Sequence, residues 1–188
     1  MKKVITVILI TGFILVFAGC GSPKGTVSER KSSIISMEQE ALSKFYQEDA
    51  GIKERVEKAE GYGVFSNINI NLIFASAGGG YGVVTDNDTR EKTYMKMGMG
   101  GFGLGLGAKD FRLLLIFHDD ETLNSFIEKG WEFGGHADAA AKSGDKGGEG
   151  SAHGAVGKGI SAYSLTETGL ALQATVTGTK YWKDGELN

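Results

Sequence analysis

Gly101-Phe102-Gly103-Leu104-Gly105-Leu106-Gly107 alternates glycine with a large apolar residue at every step. A period of two is the period of a β-strand. Phe102, Leu104 and Leu106 therefore share one face of a sheet, and only glycine hydrogens occupy the other. Glycine weakens a strand unless something approaches closely on its bare side. A packed helix, the opposite wall of a small closed sheet or a flat hydrophobic ligand would each fill that space. The stretch sets the fold class as a glycine-rich sheet with a closely covered face.

On either side the same period recurs. Tyr62–Ser66, Ile68–Ser76 and Gly80–Val84 read as strands, Asp86-Asn87-Asp88 as a turn, and Glu91–Met97 as the returning strand. Phe111–Phe117 follows Gly98–Ala108, and Ile160–Leu165 pairs with Leu170–Thr177 across a turn near Gly169. Tyr181 and Trp182 close the domain, and the charged, glycine-rich residues 142–159 read as an exposed loop. Helical spacing is confined to three places. Ser36 and Gln39 form a candidate capping box ahead of Met37, Ala41, Leu42 and Phe45. Ile52, Val56 and Ala59 make a second short stripe beyond Gly51. Asp119 or Asp120 caps a third helix, with Leu123, Phe126 and Ile127 on one face and Gly130 at its end. The first two helices carry glutamates and no basic face, so docking on a core is expected ahead of lying on a membrane. The expected fold is α+β: N-terminal amphipathic helices and one mid-chain helix packed on a mainly antiparallel sheet or partly closed barrel.

The N-terminus carries a different signal. Lys2 and Lys3 precede an apolar run from Val4 to Phe17, too short for a mature span, which needs about 20 residues. A basic start, an apolar stretch and a small-residue exit make a secretory signal. The exit, Phe17-Ala18-Gly19-Cys20, resembles the lipobox of bacterial lipoproteins, and Cys20 is the single cysteine. The expected organisation is a signal peptide over residues 1–19, a lipidated cysteine and polar tether over 20–35, and a domain over 36–188. Acyl chains such as palmitate on Cys20 would anchor the chain at about 0.8 kcal/mol per buried CH₂. Gly21 and Ser22 lack the aspartate that marks inner-membrane retention, which favours the periplasmic face of an outer membrane in a Gram-negative cell.

Composition narrows the function. The 188 residues carry a net charge of −3 with no basic cluster, which argues against nucleic acid and against bulk attraction to anionic lipid. Thirty glycines stand beside aromatics spread through the chain, unlike a disordered glycine-rich segment. Gly98-x-Gly100-x-x-Gly103 matches the dinucleotide fingerprint as a string, but a strand follows it where a helix is required. Asp86-x-Asp88 opens like a calcium loop and then offers Arg90 at the next ligand position. His118, His136 and His153 lack paired ligand spacing, so no metal is expected. Ser151 with His153, and Glu132 near His136, have no orienting partner, and no catalytic constellation or cofactor is expected.

Taken in order, several segments resemble the SYLF domain family of bacterial lipoproteins and eukaryotic membrane-trafficking proteins. The carriers are Ala59-Glu60-Gly61-Tyr62-Gly63-Val64-Phe65, Gly78–Val84, Gly103–Lys109, Leu114–Phe117, Gly130–Gly134 and the closing stretch Ala162–Thr179. The resemblance implies lipid binding without enzymatic activity, with phosphoinositides and F-actin as eukaryotic partners. An exported bacterial lipoprotein would not meet actin. Glu60 stands where the family commonly has lysine, and Asn69-Ile70-Asn71-Leu72 replaces a basic-glycine turn. Both remove positive charge that an anionic headgroup would want, which points to apolar surface instead.

The expected function is therefore a lipid-anchored envelope protein whose domain binds membrane lipid or an amphiphile. Phe102, Leu104, Leu106 and Trp131 are the candidate apolar contacts, with Lys109 and Arg112 as headgroup contacts. The alternative is a structural or protein-partner-binding envelope protein in which lipid is only an anchor.

Overall fold

The computed structural model describes residues 23–72, 75–101, 107–133, 154–157, 159–166, 169–172 and 179–188. Helix α1 spans Val27–Glu48 and begins at a capping box. The Thr26 hydroxyl accepts from the Glu29 N–H at 3.3 Å, and the Glu29 carboxylate accepts from the Thr26 N–H at 2.8 Å. The box thus lies upstream of the expected Ser36 and Gln39. The stretch from Val27 that reads as tether is helix, because the apolar stripe starts at Ile34 and continues through Met37, Ala41 and Phe45. Helix α2 (Ala50–Lys58) follows at once, capped by Asp49, whose carboxylate accepts from the Gly51 N–H at 2.8 Å.

The strands are β1 (Gly61–Leu72), β2 (Ala75–Asp86), β3 (Lys92–Gly101) and β4 (Gly107–Phe117), then helix α3 (Asp120–Lys129), then β5 (Trp131–Phe133), β6 (Gly154–Gly157), β7 (Ile160–Thr166), β8 (Gly169–Leu172) and β9 (Thr179–Lys183). β1 is one continuous strand where the sequence suggested two, since the polar Asn67 continues the pairing with β2 and β4. β6 lies inside the stretch expected as an exposed loop. It pairs with β7 through a register shift between Ala155 and Gly157. Asp86-Asn87-Asp88 turns as expected, the Asp86 carboxylate accepting from the N–H groups of Asp88 and Thr89.

All pairings are antiparallel, and the order is β5-β9-β3-β2-β1-β4-β7-β6, with β8 also on β7. The sheet is open, not a closed barrel. The central order 3-2-1-4 is a Greek key. β3 ends opposite Ser76 and β4 begins opposite Asn71, on the two outer sides of the β1–β2 hairpin. Phe102, Leu104 and Leu106 fall between them, outside the described residues.

Both faces of the sheet are covered. Helices α1 and α2 pack on one, where Phe45 and Ile52 meet Val64, Val83, Leu114 and Tyr163. Helix α3 packs on the other, where Leu123 and Phe126 meet Phe65, Phe117 and Tyr181. This explains Leu113-Leu114-Leu115-Ile116-Phe117, in which successive residues are buried on alternate faces with none left for water. Each such side chain contributes roughly 1.5–3 kcal/mol on burial. Gly80 and Gly82 permit close packing: a Cβ there would run into the Ser66 and Val64 carbonyl oxygens of the neighbouring strand. The Phe65 ring and the Met97 side chain fill the space that these glycines leave.

Candidate functional site

The register of the strands lays out the α3 face as rows. Trp131 on β5 stands opposite Tyr181 on β9, which stands opposite Met97 on β3. Met97 in turn stands opposite Gly80 on β2, then Asn67 on β1, then Phe111 on β4. Helix α3 covers the neighbouring row at Phe65, and its Phe126 ring packs 6.3 Å from Phe65, 4.9 Å from Phe117 and 5.2 Å from Tyr181. Met99, Ile127 and Trp131 are only partly buried at the margin of this cluster. Helix α3 thus covers the rows at Phe117 and Phe65 and reaches the Tyr181 end of the apolar strip that holds Asn67.

Within that strip, polar groups stand out. Asn67 is completely buried, and neither its Oδ1 nor its Nδ2 has a hydrogen-bond partner. The Thr179 hydroxyl, on β9 opposite Met99, is equally buried and also lacks one. Desolvation pushes the Tyr181 phenol far above its ordinary pKa, so it stays neutral. A buried amide without a hydrogen bond costs on the order of 1–3 kcal/mol by mutational measures.

The α1–α2 face handles its polar groups differently. Glu38 is 2% exposed, and its carboxylate accepts from Lys92 Nζ at 2.6 and 2.8 Å and from the Thr85 hydroxyl at 2.9 Å. Asp184 is equally buried and pairs with Arg30 at 3.1 Å and Lys96 at 3.3 Å. Together they pin α1 to β3 and to the C-terminal segment. A cleft on this side is lined by Tyr46, Val56, Glu57, Tyr62, Asn87 and Arg90. Burial there, followed by the charges of Tyr62, Glu57 and Glu38, raises Tyr46 to about 12. Its polar lining suits an acyl chain poorly.

Of the residues singled out in the sequence, Trp131 lies on the α3 face against the aromatic cluster. Lys109 pairs with Asn69, two positions from Phe111, and Arg112 pairs with Ser66 and Leu165. Lys109 and Arg112 therefore occupy positions of opposite parity on β4. Phe102, Leu104, Leu106 and Cys20 are outside the described residues. Asn67 went unnoticed because a single asparagine in a strand carries no motif. The available signal was its place in the alternation Asn67-Ile68-Asn69-Ile70-Asn71. Trp182, expected to close the domain beside Tyr181, is instead 41% exposed, while Tyr181 is buried.

The class that these features define is an open antiparallel sheet, covered by helices on both faces, with apolar surface beyond the helices. The family model described as Ysc84, the Las17-binding protein actin regulator, matches residues 98–188. Beta cell expansion factor A of Aeromonas veronii is 32% identical over 168 residues, which cover 88% of this chain and 61% of that protein. The chain thus spans about three fifths of that relative's length. Residues 98–188 thus carry the family match, which bears out the resemblance to the SYLF domain family.

Proposed function

We propose that the chain is a lipid-anchored cell-envelope protein, acylated on Cys20 after removal of residues 1–19, whose domain binds membrane lipid or an amphiphile without catalysing a reaction. The observation that carries this reading is one corner of the molecule. Among the described residues, the exposed large hydrophobic side chains are Val27, at 48%, and Trp182, at 41%. They come from opposite ends of the chain. Arg30, one turn beyond Val27, pairs with Asp184, two residues past Trp182. Lys183 is exposed beside Trp182, and Lys31 lies 5.0 Å from the Tyr94 ring centre. An exposed indole suits the interface between water and hydrocarbon. The chain from Cys20 to Val27 reaches at most about 25 Å, so an anchor at Cys20 would hold this corner at the membrane. No helix among the described residues is long and apolar enough to cross a membrane.

The test uses the chain from residue 20 onward with Cys20→Ser, mixed with neutral and anionic vesicles at two salt concentrations. The expected result is pelleting with both vesicle types that survives high salt and falls several-fold in Trp182→Ala. Salt-sensitive pelleting would assign the contact to lysines, with Lys109 and Arg112 then tested singly. No pelleting with any vesicle would remove membrane binding by the domain and leave the partner-binding alternative. The anchor is checked separately by labelled palmitate, which wild type takes up and Cys20→Ser does not.

A further inference from the structure

We infer that the cleft between the end of α1, helix α2 and the β2–β3 turn binds a free α-amino acid with an apolar side chain, its carboxylate on Arg90 and its ammonium on Glu57 and Asn87. The inference goes beyond the lipid reading and does not rest on it. Tyr46 lies nineteen residues along α1 from Val27, about 28 Å at the helical rise, so the cleft is remote from the corner proposed to meet the membrane.

The backbone singles out Arg90. Among the described residues it is the non-glycine residue with a positive φ, at 63°. Its N–H donates to the Asp86 carbonyl at 3.0 Å, closing the turn between β2 and β3. A left-handed turn position favours glycine, which has no Cβ to clash. Here the position instead carries an exposed arginine that lines the cleft. No carboxylate pairs with that guanidinium among the described residues.

The cleft is formed before any ligand arrives. It holds about 350 Å³, within the range of small-molecule sites. The Asn87 side-chain amide donates to the Val56 carbonyl at 2.7 Å and to the Ala59 carbonyl at 2.8 Å, and its backbone N–H donates to the Glu60 carbonyl at 2.8 Å. These bonds tie the turn to the end of α2. They also use both amide hydrogens and leave Oδ1 as an acceptor. Glu57, exposed on α2, has one long ion pair among the described residues, with Lys53 at 3.9 Å. Burial raises the phenols of Tyr46 and Tyr62, so both present neutral hydroxyls and apolar rings.

The lining selects the ligand. It offers a guanidinium, a separate carboxylate, a spare carbonyl oxygen, and an apolar wall of Val56 with two tyrosine rings. A guanidinium takes a carboxylate through two parallel hydrogen bonds. An ammonium only donates, and Glu57 with Asn87 Oδ1 supplies acceptors for it. A lone anion would face Glu57 and a lone cation Arg90, whereas one ligand carrying both charges meets both. A phosphoethanolamine head carries the same two charges but has no branch for the apolar wall. An amino acid such as leucine fills all three parts.

The deciding experiment is calorimetric titration of the Cys20→Ser chain from residue 20 onward. The titrants are L-leucine, isocaproate, which lacks the ammonium, and isoamylamine, which lacks the carboxylate. Wild type should bind leucine about tenfold or more tightly than either analogue, the scale of one charged hydrogen-bonded contact. Arg90→Gly should melt no lower than wild type, because glycine suits a φ of 63°, and should bind leucine roughly tenfold more weakly. Glu57→Gln should weaken binding several-fold. Should Arg90→Gly melt lower, Glu57→Gln decides by the same loss or its absence. Failure of wild type to bind leucine, equal binding of either analogue, or undiminished binding by the folded variants would overturn the site. Glycerophosphoethanolamine is the last titrant. Binding as tight as that of leucine would overturn the amino-acid assignment and give the cleft to a lipid headgroup.

Discussion

On the α1–α2 face the buried Glu38 carboxylate is held by Lys92 and Thr85, whereas on the α3 face the buried Asn67 amide meets no hydrogen-bond partner. One sheet carries both, and β1 and β2 contribute side chains to each. The first arrangement is what a docked helix needs, because a charge removed from water must be met by a counter-charge and hydrogen bonds. The second leaves a buried amide uncompensated, at a cost on the order of 1–3 kcal/mol that the rest of the core must offset. The difference teaches that docking α1 required its buried carboxylates to be met by cations, whereas the α3 face is held by apolar and aromatic packing with Asn67 and Thr179 left over.

The most severe way to break this contrast is Lys92→Met, which leaves the Glu38 carboxylate buried without its cation. A loss of about 3 kcal/mol is expected in urea unfolding. Glu38→Gln in the same background should recover part of it by removing the stranded charge. Gly82→Ala should cost about 1–3 kcal/mol by pressing a methyl into the Val64 carbonyl and the Phe65 ring, read by the same unfolding curves. Asn67→Leu should move in the opposite direction, gaining about 1 kcal/mol, because it removes an unpaired buried group instead of creating one. A loss of that size would mean the amide is engaged in the unliganded fold, and the two faces would no longer differ.

The smallest effect concerns Tyr46 beside α2. Its pKa is raised in the folded state to about 12, above the ordinary phenol value, chiefly by burial. The associated stability is fully present below about pH 10 and is lost as pH rises through about 12. Tyr46→Phe should flatten that alkaline decline, measured by unfolding at stepped pH, and should leave neutral-pH stability nearly unchanged.

Much of the fold was legible from local pattern. Alternating residues announced the strands of the hairpin, Asp86-Asn87-Asp88 its turn, Asp119 and Gly130 the limits of α3, and Ile52 with Val56 the short α2. The start of α1 was misplaced because Ser36-x-x-Gln39 and Thr26-x-x-Glu29 are both plausible boxes. Only burial of Ile34 against the sheet selects the earlier one. The break expected within β1 was absent for a similar reason. A polar residue interrupts a hydrophobic pattern but does not stop backbone pairing when strands flank it on both sides.

The candidate site was legible only in part. Trp131 could be named as a large aromatic next to a helix-ending glycine, and the structure puts it on the apolar face. That Lys109 and Arg112 have opposite parity follows from their spacing alone once β4 is continuous. That Asn67 lies between Gly80 and Phe111 depends on strand neighbours far away in sequence.

By itself, then, the sequence determined the α+β class, the glycine-rich alternation and the helix-capping chemistry, because each depends on residues within a few positions of one another. The tertiary structure decided the Greek-key order, the side of the sheet that each helix covers, and the contrast between a paired carboxylate and an unpaired amide. Those depend on register and burial, which are set jointly by β1, β2, β3 and β4 and by the helices packed across them, and no local stretch of chain contains that information.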